Sequence, residues 1–272
     1  MSGLCGVGNK AKNISKIYVG VGDKSKEVQK AYVGVGNKAK LWFESGISMN
    51  SLSVGTDIYI NVSETQTAFR IVHKGNPSSK IYDGSCSGIW LMSMVSAGSM
   101  RHKPWAVYPS GTYDISDIYT WLNDTYPTYF TKSVQGKIRQ VKIPYWGKEG
   151  AGSKGSLYTG SSGLSVKAFL PSTYEVGFTT DDDTEMKIEG AKLSYFTSAS
   201  RRIMSDDKYN NWWTRSPRID YQASSNGFFA VDNATGKLIA YKNDWDYLHV
   251  YPIIILPTDT TVTQKSNKYY LS

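Results

Sequence analysis

The sequence predicts an α+β protein in two parts, a small all-β repeat arm and a larger mixed head. Three observations point there. A 14-residue repeat fills the first 43 residues. Short alternating or wholly apolar runs recur through the rest, and aromatic residues reach 13%, with 20 Tyr and 8 Trp, which favours strands and recognition surfaces. Helical spacing is found at 116–138. With 272 residues, 40% of them apolar and 20% charged, the chain is ordinary for a globular protein of one or two domains.

The arm comes first. Gly6-Val7-Gly8-Asn9-Lys10-Ala11-Lys12 returns as Gly20-Val21-Gly22-Asp23-Lys24-Ser25-Lys26 and again as Gly34-Val35-Gly36-Asn37-Lys38-Ala39-Lys40. An even period keeps equivalent side chains on one strand face. Gly-Asn and Gly-Asp are turn signals. Each unit therefore reads as strand plus turn, and three units as a small meander or ribbon. The pattern leaves open whether a unit holds one long strand or two short ones. Three such units sit near the lower size limit for independent stability, so the arm of 1–43 is expected to dock on a partner chain or self-associate.

Residues 44–53 are polar and carry Gly and Ser, which reads as a linker to a head at 54–260. Asp57–Val62 and Ala68–His73 alternate like strands and are joined by the polar Ser63–Thr67, a hairpin pattern. Ile89-Trp90-Leu91-Met92 reads as a buried strand. Ser116 and Asp117 suit a helix start, and Ile118, Trp121 and Leu122 form an apolar stripe. Pro127 fits the first position of a second helix with Phe130, Val134 and Ile138 along one side. Val141–Trp146 reads as one strand ended by proline, 147–163 as a Gly/Ser loop, and Lys167–Pro171 as a short strand. Residues 261–272 read as a polar tail.

Several chemistries are disfavoured. The net charge of +8 is concentrated in the arm, where eight lysines face Asp23 and Glu27; the remainder carries only +2. No Arg-rich stripe or nucleic-acid motif accompanies it, so nucleic acid is not an expected partner. Cys5 and Cys86 make neither a disulfide framework nor metal-ligand spacing. The Gly-rich segment lacks the phosphate-binding lysine pattern, and Asp181-Asp182-Asp183 lacks the calcium-loop offsets. The longest apolar run, about Tyr251–Leu256, is too short to span a bilayer, and no secretory leader is evident. A soluble chain made in the cytosol is expected, without membrane insertion. His73, His102 and His249 show no catalytic or metal spacing, so no enzyme and no cofactor or metal is expected.

The stretch Asn210–Leu256 differs from all this. Between Trp212-Trp213-Thr214-Arg215-Ser216-Pro217 and Tyr251–Pro257 lie Arg218, Asp220, Tyr221, Ser224, Ser225, Asn226, Phe228, Asn243, Asp244, Trp245, Tyr247 and His249. They mix aromatics with Asn, Ser and Asp and show little period. Rigid Tyr and Trp with adaptable hydrogen-bonding residues is the chemistry of a paratope, so these twelve are the candidate ligand-binding set. A solvated loop pair between strands is the plainer reading.

At Trp212–Pro217 the chain resembles the Trp-Trp-Leu-Arg-Ser-Pro proteins of gut Firmicutes and their phages, grouped as a domain of unknown function. Gly75–Ser79, Val141–Tyr145, Gly163-Leu164-Ser165, Gly190–Phe196 and Ile254–Pro257 extend the resemblance through about Ser51–Pro257. The repeats resemble arms of phage tail-associated proteins. What this implies is a C-type-lectin-like (formylglycine-generating-enzyme-like) domain. It is similar in layout to the variable proteins of diversity-generating retroelements, whose gene ends are copied with adenines randomised. Asn codons then yield Tyr, Ser, Asp, His and Phe, the composition of 220–226 and 243–249. The resemblance implies a phage or prophage receptor-binding protein. It would be made in the bacterial cytoplasm, carried at the phage tail tip, docked to a tail or baseplate protein through 1–43, and diversified to bind a host cell-surface protein or glycan. A homotrimer is expected by analogy; the alternative is a structural virion or surface protein without its own ligand.

Some positions depart from the pattern. Thr214 replaces the usual Leu. His249-Val250-Tyr251-Pro252 replaces Gly-Val-Arg-Pro and lacks an arginine expected to brace the core. Lys242 and Trp245 do not arise from Asn codons by adenine changes alone. The lectin calcium motif and the oxidase cysteine pair are absent.

Overall fold

A computed structural model gives the architecture. It describes all residues except 1–3, 8–9, 14–16, 22–23, 29, 36–37, 45, 103–111, 148–154, 205–209, 219–226 and 242–246. The fold is mixed α+β and mostly strands.

Each arm repeat is a hairpin of two short strands, which resolves the open choice. β1 (Leu4–Val7) pairs with β2 (Lys10–Asn13), β3 (Tyr18–Val21) with β4 (Lys24–Glu27), and β5 (Lys30–Val35) with β6 (Lys38–Glu44). The pairs close at Val7↔Lys10, Val21↔Lys24 and Val35↔Lys38. Two residues therefore separate the strands each time, the Gly-Asn or Gly-Asp dipeptides that signal two-residue hairpin turns. Each hairpin is its own two-stranded sheet, so no continuous meander forms among the described strands.

The head holds an eight-stranded sheet. Its strands in chain order are β7 (Ile47–Ser48), β8 (Asp57–Val62), β9 (Thr65–Gly75) and β10 (Gly88–Ser93), then, further along, β16 (Ala168–Phe169), β21 (Ile253–Leu256), β22 (Thr261–Lys265) and β23 (Lys268–Leu271). Spatially they run β16-β21-β10-β9-β8-β23-β22-β7. All six residues of β10 and all four of β21 are buried, as expected for central strands covered on both faces. Trp90 anchors this centre. Its indole N–H donates to the carbonyls of Gly75 and Cys86 at 3.0 Å, and its ring meets His73, Tyr82 and Phe169 edge-on. The β8–β9 turn is Ser63-Glu64, both at positive φ, so β9 begins at Thr65, inside the segment expected to be loop.

Residues 261–272 correct the sequence reading. They form the hairpin β22–β23, with Ser266 and Asn267 at positive φ in its turn, and β23 runs parallel to β8. Val262 and Leu271 are buried. The polar faces of this hairpin are solvated, and two-residue alternation at a sheet edge looks like a tail when its partner strand lies about 200 residues away. The linker is corrected too. Within 44–53, β7 pairs with β22, and Met49 is fully buried. The head therefore runs from about 46 to the last residue.

α1 (Asp117–Asp124) begins where expected. Ser116 Oγ accepts from the Tyr119 N–H at 3.1 Å, and Ile118 and Leu122 face the core. The second helix is broken. Pro127 opens a 3₁₀ turn at Tyr126–Tyr129, and α2 (Lys132–Gln135) starts afresh with Thr131 as its cap. Phe130 pairs with Val62 instead of continuing the helix. Pro144 likewise divides the expected single strand into β12 (Val141–Ile143) and β13 (Tyr145–Gly147). The segment 147–163 is not all loop: β14 (Ser156–Tyr158) pairs with β13. β15 (Leu164–Val166) pairs with β12.

Deleting 261–272 tests the correction. Loss of two buried aliphatics at roughly 1.5–3 kcal/mol each predicts a destabilisation of about 3–6 kcal/mol in urea unfolding. A true tail would be removed without effect.

Candidate ligand-binding face

A second sheet carries Arg218, Phe228 and His249 of the candidate set. It contains β11 (Ser99–Met100), β17 (Trp212–Arg218), β18 (Gly227–Val231), β19 (Leu238–Tyr241) and β20 (Leu248–His249), in the order β11-β20-β17-β18-β19. Residues Trp212 to Pro217 are all buried. The reason is an ion-paired cluster around Arg215. Its guanidinium takes both oxygens of Glu175, at 2.6 and 2.7 Å, and Nε donates to Glu189 Oε1 at 2.9 Å. Nη1 also donates to the Leu170 carbonyl. Tyr82 donates to Glu175, Ser216 donates to Glu189, and Thr173 N–H donates to Ser216 Oγ. The three charged side chains are 0–1% exposed. Burial by itself would lower the Arg215 pKa; the two carboxylates reverse this and hold it above its ordinary value. Glu189 is pushed up by burial, against the pull of Arg215. Gly190 is at φ +98, and a Cβ there would collide with the Tyr82 hydroxyl, so glycine is required beside the cluster.

A histidine braces the other side of β17. His102 is buried, with Nε2 3.0 Å from the Thr214 carbonyl, so Nε2 carries the hydrogen and donates. The ring stacks on Phe228 at 3.4 Å and meets Trp213 edge-on at 5.3 Å. Burial pushes its pKa down to about 3, so it is neutral. Trp213 Nε1 donates to the Met100 carbonyl, and Thr214 Oγ1 to the Phe229 carbonyl. The hydroxyl of Thr214 explains a polar residue at a fully buried position.

Four of the twelve candidates lie among the described residues. Arg218 ends β17 opposite Gly227, and Phe228 is opposite Tyr241 on β19. The chain re-enters at β20, where His249 is registered to Trp212, at the far end of β17 from Arg218. Tyr247 is 62% exposed, with the Arg101 guanidinium 4.6 Å from its ring centre. Among the described residues, the buried Arg218 Nε, His249 Nδ1 and His102 Nδ1 have no hydrogen-bond partner. Phe228 is different: at 3% exposed and stacked on His102, it belongs to the support and is not a surface anchor. Asp220, Tyr221, Ser224, Ser225, Asn226, Asn243, Asp244 and Trp245 lie outside the described residues.

Sequence reasoning missed Arg215, Glu175, Glu189 and His102. Arg215 stood in plain view within Trp212–Pro217. The brace expected from the position of Tyr251 is supplied from β17 instead. Tyr251 is fully buried, its ring 6.1 Å from Trp212. Asp182 and Asp183 accept from the N–H groups of Thr179 and Glu185, so they shape a turn. Among the described residues, no three His, Cys, Asp or Glu are grouped to hold a metal, and no helix is long and apolar enough to cross a membrane. Cys86 is a buried free thiol that donates to the Lys142 carbonyl, and burial raises its pKa to about 12.

The chain belongs to the family described as "Domain of unknown function (DUF6273)", whose model matches residues 88–258, more than half of the chain. No curated protein and no solved structure matches it.

Arg215→Met leaves two carboxylates buried without their cation and is expected to cost about 3–5 kcal/mol in denaturant unfolding. The pH dependence has a defined sign. His102 binds its proton less readily folded than unfolded, so its contribution is complete above the ordinary value of 6.5 and is lost as pH falls toward about 3. His73, also lowered by burial, acts in the same direction. His102→Phe is expected to flatten the stability curve below pH 6.5 in part, as followed by melting temperature.

Proposed function

We propose that the chain is the receptor-binding protein of a phage or prophage. In this reading the head is C-type-lectin-like, the rim 218–249 is diversified by a retroelement, and 1–43 docks on a tail or baseplate protein. The ligand is a host cell-surface protein or glycan, and a trimer on the virion would multiply weak contacts. The observation that carries this reading is the contrast between frame and rim. β17 is held by buried ion pairs and aromatic stacking. At its margins Tyr247 stands exposed. Rigid support under exchangeable contacts is also how paratopes are built.

The first experiment is sequencing of the gene's 3′ end across a natural population. Substitutions confined to codons of about 218–251 are expected, and scattered sparse variation would remove the diversification claim. Alanine at Tyr221, Trp245 and Tyr247 together is expected to abolish host-cell binding with an unchanged melting temperature. Phe228→Ala, by contrast, is expected to cost about 3–5 kcal/mol of stability because that ring packs in the frame. Unaltered host adsorption after replacement of 218–249 would favour a structural virion protein.

A further inference from the structure

A cavity of about 260 Å³ lies between the β8–β9 turn, the 3₁₀ turn at Tyr126–Tyr129 and the strap 93–98 that leaves β10. Its volume is just under the range of about 300–1,000 Å³ typical for drug-sized ligands, so its occupant is small. Among the described residues, no charged side chain lines it. The walls are hydroxyls, two phenol rings and the aliphatic side chains of Val62, Val95 and Ala97. Two hydroxyls are committed to shaping the strap. Ser93 Oγ donates to the Val95 carbonyl at 2.6 Å, and Ser96 Oγ to the Gly98 carbonyl at 3.0 Å. Those turns fix the wall before anything binds.

Tyr126 is the informative residue. It is 2% exposed, and its ring packs against Trp121 and Phe130 at 5.2 and 5.3 Å. No hydrogen bond of its hydroxyl is found among the described residues, and the side chain borders the cavity, so the O–H is open to an occupant. Burial also raises its pKa, which keeps the proton on oxygen and available to donate. Tyr129 stands beside it, 39% exposed, with its ring 6.2 Å away at 78°. A half-exposed ring offers a face to C–H groups. Thr65 and Ser63, at the cavity's edge, supply neutral hydroxyls of either polarity.

We propose that this cavity is a binding site for a single neutral sugar ring, a hexose. A hexose has one C–H face for Tyr129, hydroxyls to accept from Tyr126 and exchange with Thr65, and no charge to strand in a lining that holds none. The site is separate from the 218–249 rim and does not rest on its diversification.

The test is ligand-observed NMR on the full chain with glucose, galactose, mannose and, as a charged control, glucuronate. Millimolar binding of at least one neutral hexose is expected, with glucuronate no tighter. Tyr126→Phe removes only the unpaired oxygen, so it should weaken binding about tenfold, as losing one hydrogen bond to a ligand does, and leave the melting temperature unchanged. Tyr129→Ala should weaken binding similarly. A chain with Tyr247→Ala and residues 219–226 replaced should bind the hexose as before, which separates this site from the rim. No neutral hexose bound at roughly 100 mM, far weaker than a built site gives, would overturn the proposal. So would a lowered melting temperature for Tyr126→Phe, because the hydroxyl would then have a structural role.

Discussion

Arg215 is the constraint on which the head depends. One guanidinium ties β17 to Leu170, to Glu175 in the turn after β16, and to Glu189 beside Gly190. A fully buried pair of this kind adds little net stability over well-packed apolar side chains, because desolvation offsets most of the attraction. Its effect is on geometry. The fork of Arg215 accepts one arrangement of two carboxylates, and those carboxylates are in turn held by Tyr82, Ser172 and Ser216. Moving any of these three segments by an ångström strands a charge where water cannot reach it. The segment 170–193, which has little regular structure, is fixed by that penalty.

The same constraint separates support from surface. With Trp212 to Pro217 wholly buried, β17 cannot contribute side chains to solvent until Arg218. The His102–Phe228 stack then closes the neighbouring strand. A described side chain beyond these points that stands exposed has no packing duty, so its substitution changes the surface and not the frame. Tyr247, exposed and in contact with Arg101, has that freedom; Phe228 lacks it, although both have the residue type of an anchor.

That difference also marks how far the sequence could be read. Short-range signals were legible. Ser116 announced α1, the Gly-Asn and Gly-Asp pairs announced the arm hairpins, and the run Ile89–Met92 announced a buried strand. Whatever depended on a partner far along the chain was not. β23 reads as a tail because β8, which completes it, lies more than 200 residues earlier. The helix predicted through Pro127 fails because Phe130 is captured by Val62. Arg215 looked like part of an apolar post because Glu175 and Glu189 sit 40 and 26 residues away with nothing between to link them. Phe228 was grouped with the rim by composition, and only its stacking on His102 reassigns it.

The strap 93–98 joins the two halves of this picture. Ser93 N–H donates to the Pro252 carbonyl, Ala97 N–H to Val250, and Val250 N–H to Gly98, so the strap is stitched to the chain that carries His249. Ser93, Val95, Ser96 and Ala97 border the cavity, and the chain then runs directly into β11, paired with β20. The cavity wall and the strand that carries His249 thus share one short connection. A shift of the strap would be felt at both, since Ala97 lines the cavity while Ser99 is registered directly against His249. The Ser93 and Ser96 turns hold the strap's own shape, and its backbone bonds to Val250 and Pro252 hold it against the chain beyond His249.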